Sequence, residues 1–339
     1  MKKRTKVLGM TFIVIGILIM LVSLGSCGFN VRELDSKDKT TNEYDITDTF
    51  ENIRVVSDTA DIKLMPSENG NVKVVCMQEE KNMTHRVAVN GGTLKIELVD
   101  ERKWYDYVDL FSFGDNEVIV YLPVGEYGDL KVEADTSDVE ISKGFTFKSI
   151  DIKLSTGDTE CNSSATDFIK INASTGNVEI EDVTLGLLEI SLSTGDVELE
   201  NVNAASVSIT TDTGELEASN LNVTGELYRK CTTGRTEIKD TVCGSFNSVG
   251  TTGKITLVRF VADETMKIER ASGDVTIKES DAEEILIETS TGDVDASLLT
   301  AKIFITSTST GKINVPESLT GGKCKITTNT GDVNVTFNP

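Results

Sequence analysis

The most constraining feature of this sequence is a glycine that returns every 19 or 20 residues. It stands at positions 157, 176, 195, 214, 234, 253, 273, 292, 311 and 331, mostly inside a Ser/Thr-Gly-polar signature. Representative copies are Ser155-Thr156-Gly157-Asp158, Ser174-Thr175-Gly176-Asn177, Ser193-Thr194-Gly195-Asp196 and Ser290-Thr291-Gly292-Asp293. Asp135-Thr136-Ser137-Asp138 repeats the pattern with Ser in place of Gly, and Asp58-Thr59-Ala60-Asp61 echoes it far upstream. A fixed period of this length marks a repeat architecture whose units stack on one another.

Alignment on the glycine exposes apolar columns. Seven and five residues before it stand pairs such as Ile150 and Ile152, Leu188 and Ile190, and Ile285 and Ile287; two and four residues after it stand Val178 and Ile180, Val197 and Leu199, and Val333 and Val335. The seventh residue after it is often apolar too, as at Val183, Val202, Leu221, Phe260 and Leu299. Alternation with period two on both sides of a corner predicts two short strands per coil with one face inward. A single coil buries too few aliphatic side chains to offset the ordering of its backbone, so the coils must stack and hydrogen-bond to their neighbours. The expected fold is all-β: a parallel, β-helix-like solenoid of 19–20-residue coils over residues 131–339. The regular glycine predicts a corner that needs positive φ or close backbone approach.

Upstream the pattern changes. Residues 7–24 carry no charge and follow a basic cluster, Lys2, Lys3, Arg4 and Lys6. This predicts an N-terminal membrane anchor over residues 1–27, with its N-terminus cytoplasmic and the bulk of the chain extracytoplasmic. Leu24-Gly25-Ser26-Cys27 is similar to a lipobox, so the anchor is either an uncleaved transmembrane helix or a lipoprotein signal with lipid on Cys27. Residues 28–48 read as a polar linker. Residues 49–130 read as an irregular β region and cap, with strands expected at 53–56, 62–64, 72–75, 94–98 and 118–122. Beyond the basic cluster, 29 basic residues face 55 acidic ones. That balance argues against a nucleic-acid partner, since phosphate binding needs clustered Lys and Arg.

No motif identifies a catalytic, cofactor or metal site. The residue after the glycine is often acidic (Asp158, Asp196, Asp274, Asp293, Asp332), which suits either a cation-binding ridge or a solvated corner; Arg235, Lys254 and Lys312 interrupt the row. The Ser/Thr pairs before the glycine suit either a hydroxyl ladder or turn residues bonding their own backbone. Five exported cysteines, without a CxxC, argue against a complete disulfide framework, and Cys161, Cys231 and Cys324 fall on inward columns. The only histidine, His85, has neither GxSxG nor HExxH beside it. The aromatic run Trp104, Tyr105, Tyr107, Phe111 and Phe113 is either a contact patch for a surface glycan or partner protein or a cover for the N-terminal end of the solenoid. Coils of uniform length leave no long insertions to wall a catalytic cleft, which argues against an enzyme.

Several of these segments together resemble the bacterial DUF4097 family of candidate adhesins. The resemblance rests on the N-terminal apolar segment followed by Gly28-Phe29-Asn30, on Asp58-Thr59-Ala60-Asp61-Ile62, Arg102-Lys103-Trp104-Tyr105 and Val120-Tyr121-Leu122-Pro123, on the Ser-Thr-Gly-Asp coils, and on Gly321-Gly322-Lys323-Cys324. It implies a surface-exposed solenoid acting as an adhesin or in envelope interactions. Beside that reading stand two from other classes: a sensor or regulator of envelope stress acting on a membrane partner, and a glycan-active enzyme. The resemblance carries over no catalytic residues.

Overall fold

A computed structural model describes residues 40–78, 83–100 and 116–337. Every regular element among them is a β-strand, and the strands form one continuous hydrogen-bonded system. Within the array the pairing is parallel and strictly coil upon coil. Leu188 pairs with Val207 and Ile190 with Ile209 along one side, while Val197 pairs with Leu216 and Leu199 with Ala218 along the next. The expected parallel β-solenoid is therefore the observed fold.

Each coil has three straight segments rather than two. In Thr184–Thr194 the run breaks at Gly186, where an added Cβ would lie 2.2 Å from the carbonyl oxygen of Asp167. The chain turns again at Gly195, runs through Val197–Glu200, and turns a third time at Asn201, which has φ 54°. The longer coils place their extra residue at the first of these corners: Ala204 pairs with Val223, but Val207 pairs with Leu227. The glycine corner thus keeps its register whatever the coil length. The third corner is left-handed in six consecutive coils, at Asp182, Asn201, Asn220, Asp240, Arg259 and Glu279. Asp and Asn tolerate that conformation better than other side chains, and here they also link coils, with Asn201 Nδ2 donating to Asp182 Oδ1 at 2.9 Å.

The glycine corner meets both expected requirements. Across the ten repeat glycines φ runs from 138° to 157°, and a Cβ at Gly195 would sit 1.8 Å from the carbonyl oxygen of Gly176. Ala60 and Ser137 occupy the same place in the first coils without positive φ: Thr136 N–H donates to Asp58 O, and Ile62 N–H to Asp138 O.

The inward columns form one apolar core. Ile150, Ile152, Leu188, Ile190, Val197, Leu199, Val333 and Val335 are all buried. So are Val183, Val202, Leu221 and Phe260, but Leu299 is exposed; a register break after Ile277 and Ala296 turns Leu298 inward instead. Cys76, Cys161, Cys231, Cys243 and Cys324 are buried free thiols, and burial pushes Cys76, Cys243 and Cys324 up to about 12 and Cys161 to about 11.

Both ends depart from sequence order. At the N-terminal end the Asn52–Val56 strand lies between Thr93–Asp100 and Gly125–Thr136, pairing in parallel with each. Val72–Gln78 and Met83–Asn90 then pair antiparallel to the outermost coil. Thr40–Ile46, within the stretch read as linker, is a strand beside Val72–Gln78. At the other end the last coil, Gly322–Thr330 and Val333–Phe337, is inserted between Val275–Leu298 and the Lys302–Asn314 coil, which is outermost. Among the described residues no helix is long and apolar enough to cross a membrane. Residues 7–24 and Cys27 lie outside the described residues.

Candidate functional site

The strongest surface feature grows out of the corner glycine. The preceding threonine is fixed in register on every coil, so Thr136, Thr156, Thr175, Thr194, Thr213, Thr233 and Thr252 align, continued by Ser272, Thr291, Thr330 and Thr310. All but the half-buried Ser272 are exposed. Parallel pairing sets the rungs about 4.8 Å apart. The result is an unbroken hydroxyl ladder; of the serines beside it, Ser155 donates to Asp135 Oδ1 of the adjacent coil rather than to its own backbone.

The residue after the glycine is more than a solvated corner. Its short side chain accepts the backbone N–H of its counterpart in the next coil: Asp138 Oδ1 from Asp158 N at 2.8 Å, Asp158 from Asn177 at 2.7 Å, Asn177 from Asp196 at 3.0 Å, and Asp196 from Glu215 at 2.7 Å. The run stops at Glu215, Arg235 and Lys254, whose side chains are too long or of the wrong kind. It resumes with Asp274, Asp293 and Asp332. Among the described residues no group of His, Cys, Asp or Glu is arranged to hold a metal ion.

Three residues after the glycine, outward-facing glutamates stack directly: Glu140, Glu160, Glu179, Glu198, Glu217 and Glu237. Alternation around the corner carries this signal in the sequence, as a third column between two apolar ones. With the corner carboxylates, the glutamates from Glu140 to Glu217 line a groove of about 660 Å³ that runs along six coils, from Asp61 to Glu217. Lys63 closes one end, paired with Glu117 at 2.7 Å. Arg235 closes the other, reaching Glu215 at 2.9 Å, Glu237 at 3.2 Å, and Glu217. Between them no cation pairs with Glu179 or Glu198 among the described residues. Partial burial, then the neighbouring Glu160 and Glu198, raise the Glu179 carboxyl above its ordinary range. Ladder and groove share the glycine corner as their common edge, because a second shallow trough of about 500 Å³ runs along the Thr-Gly-Asp line itself.

His85 is buried in the antiparallel cap. Its Nε2 lies 3.4 Å from Ser57 Oγ and its Nδ1 against Gln78, beside a cavity of about 10 Å³. Burial lowers its pKa to about 4. A Ser–His pair needs a third group to orient the base and room for a substrate. Among the described residues the side chain at Nδ1 is the Gln78 amide, and the cavity they bound has room for about one water molecule.

Two arginines sit in the core without a carboxylate. Arg229 is fully buried and donates to the carbonyls of Gly214 and Lys230, leaving its Nε without a partner; Arg270 donates to Glu269 O and Ser248 Oγ. Both stand on inward columns: Arg229 aligns with Ile209 and Ser248, and Arg270 with Gly250 and Thr289. Gly250, between Cys231 and Arg270 in register, leaves the space that the Arg270 guanidinium fills. The aromatic run Trp104, Tyr105, Tyr107, Phe111 and Phe113 lies outside the described residues.

Among solved structures the chain is similar to a candidate adhesin from Bacteroides fragilis, at 16% identity over 89% of this chain and 98% of that one, with a TM-score of 0.36. A candidate adhesin from Parabacteroides distasonis matches at 10% identity over 78% and 98%, with a TM-score of 0.44. A candidate lipid-binding protein from the same species matches at 18% identity over 76% and 94%, with a TM-score of 0.40. No curated protein matches the chain. The profile of the Toastrack DUF4097 family matches residues 50–248 and 234–339, and the chain belongs to that family.

Proposed function

We propose that this chain is a membrane-anchored, extracytoplasmic binding protein without catalysis, and that the glycine-corner edge is its contact surface for a surface glycan or envelope protein. The observation that supports it is the exposed hydroxyl ladder, unbroken from Thr136 to Thr310 and flanked by the glutamate groove. Such a surface presents identical donors and acceptors at one spacing, which suits a polymer with its own regular repeat. Aliphatic columns and shared backbone hydrogen bonds hold the ladder rigid, so binding costs little ordering of the protein. The extracytoplasmic address rests on residues 1–27: a basic cluster, an uncharged apolar run, and Cys27 as the lipid-attachment site or part of a transmembrane helix. The adhesion reading accords with the family resemblance.

The test is retention of the purified protein on insoluble cell-wall glycan and on immobilised envelope proteins, compared with a variant carrying Thr175→Val, Thr194→Val and Thr213→Val. Valine preserves the β-branched shape and removes three adjacent hydroxyls. The expected result is binding that falls sharply in the variant. Equal binding by both proteins, or none by either, refutes the reading. Mass analysis of the mature N-terminus distinguishes lipid on Cys27 from an intact apolar helix.

A further inference from the structure

The two ends of the solenoid are finished differently. At the N-terminal end the parallel stack is closed by antiparallel strands, and the outer strand Thr40–Ile46 carries Glu43 and Asp45, charges that discourage pairing with another chain. Among the described residues the opposite end has no such cover. The outermost coil, Lys302–Thr310 and Ile313–Asn314, pairs on one side only, with Gly322–Thr330 and Val333–Phe337; among the described residues nothing pairs with its outer edge. Its backbone donors and acceptors there call for another strand.

The side chains of this coil also break the surface rule. Six residues before the corner glycine the outward column is mostly polar, with Asp151, Lys170, Glu189, Ser208, Asn247, Lys267 and, in the inserted coil, Lys325; Tyr228 and Leu286 are half-buried there, whereas Ile305 is exposed. Ile303 and Ile305 are 44% and 51% exposed, and Ile313, on the inward column, is 44% exposed because the core ends open. Charge points to the occupant. The whole chain carries a net charge of −22, so two copies repel along their sides. Residues 299–321 hold only Lys302, Lys312 and Glu317 as charged residues, and Lys302 is buried against Asp281 at 2.7 Å. This is a near-neutral coil on an acidic protein, whereas the outer described strand at the N-terminal end, Thr40–Ile46, carries Glu43 and Asp45.

We propose that the open end is a self-association surface, at which the Lys302–Thr310 edge pairs antiparallel with the same edge of a second copy about a two-fold axis. Such an interface is isologous: each copy supplies the same residues. It would satisfy the unpaired backbone edge and cover Ile303, Ile305 and Ile313 at once. The inference does not depend on the ligand of the glycine-corner edge, which lies along the side of the coils.

The experiment uses the full chain in its membrane, carrying Ile305→Cys and treated with a short bis-maleimide crosslinker. The controls are the parent chain, which reports any background from Cys27, and Val242→Cys, an exposed mid-array position. A crosslinked homodimer with Ile305→Cys and with neither control is expected. No dimer, as much dimer with Val242→Cys, or a product containing a different protein overturns the proposal. A second chain carries Ser307→Cys as reporter together with Ile303→Lys and Ile305→Lys. Lysine fits these columns, because Lys323 and Lys325 occupy them in the adjacent coil. The dimer given by Ser307→Cys alone must disappear; its persistence overturns the proposal.

Discussion

Substitution of Gly195 by alanine tests the physics of the whole array. The added Cβ would lie 1.8 Å from the carbonyl oxygen and 2.7 Å from the carbonyl carbon of Gly176, both backbone atoms with no rotamer to yield. A normal contact requires the two coils to separate locally by more than 1 Å (~1.3–1.6 Å, from ordinary van der Waals separations). That displacement stretches the bonds between these two coils: the Gly176 N–H bond to Thr194 O at 3.1 Å, the Val178 N–H bond to Asp196 O at 2.9 Å and the Asp196 N–H bond to Asn177 Oδ1 at 3.0 Å. Holding alanine at φ 149° costs roughly 1–3 kcal/mol. Two weakened buried hydrogen bonds add about 1–3 kcal/mol each. The expected loss is therefore roughly 3–9 kcal/mol, most of it in the range that single substitutions seldom reach. The assay is urea unfolding followed by circular dichroism, with hydrogen exchange to locate the damage in the coils around residues 176–214. Gly125→Ala is the control, because that glycine has ordinary φ and nothing within 4 Å of an added Cβ; it should be neutral or slightly stabilising. A loss below ~1 kcal/mol for Gly195→Ala would mean that the corner is neither strained nor tight, and the reasoning would fail.

Three further outcomes follow from the same geometry. Asp196→Ala removes the acceptor of Glu215 N–H and should lower stability by about 1–2 kcal/mol, whereas Asp196→Asn should be close to neutral, since Asn177 already does the same work one coil away; equal losses would refute the corner-acceptor role. His85 has its pKa lowered to about 4 by burial, against 6.5 when unfolded. The unfolded chain therefore binds the extra proton between those values, and stability is complete above pH 6.5 and falls as pH drops towards 4, by at most about 3 kcal/mol. Acid titration of unfolding should show that slope, and His85→Phe should flatten it; an unchanged slope would refute it. Asp281→Asn leaves Lys302 buried without its partner and should cost roughly 3–5 kcal/mol, while the double change Asp281→Leu with Lys302→Met should recover most of it, as thermal unfolding would show.

Legibility in the sequence followed the period. The inward columns, the strained and crowded corner and three of the five buried cysteines, Cys161, Cys231 and Cys324, could be read, because a fixed repeat turns one position into ten observations. The third segment could not: its corner at Gly186, Gly225 and Gly244 absorbs the one-residue variation in coil length, so alignment on the main glycine blurs it. Arg229 and Arg270 broke the columns without announcing whether they were buried. Burial of an unpaired guanidinium is costly enough that column position alone argues the other way. Leu299 failed for a local reason, since the chain leaves its regular path one residue earlier, at Leu298.

The order of the end coils is a different kind of information. Any 19–20-residue coil fits upon any other through backbone bonds, so the period cannot say which coils are neighbours. What decides the matter is a set of residues outside the repeat. Between Leu298 and Lys302 the chain steps past the width of a whole coil, and the gap is later filled by residues 322–337. The return path needs Gly321, with φ 99° and an added Cβ 1.8 Å from Ala301 O, and Gly322, whose Cβ would lie 1.9 Å from Glu283 O. Lys302 stands opposite Gly322 in register and reaches Asp281 on the far side of the inserted coil. The hydrogen bonds of the corner column record the same order, from Asp332 N–H to Asp293 and from Lys312 N–H to Asp332. Lys312 supplies no acceptor in return and needs none within one chain, because its coil is the last. Gly322 stands nine residues before its corner glycine, as Gly186, Gly225 and Gly244 do; Gly321, which precedes it with φ 99°, is thus the added sequence mark of a chain that threads residues 322–337 back into the stack and leaves an earlier coil at the open end.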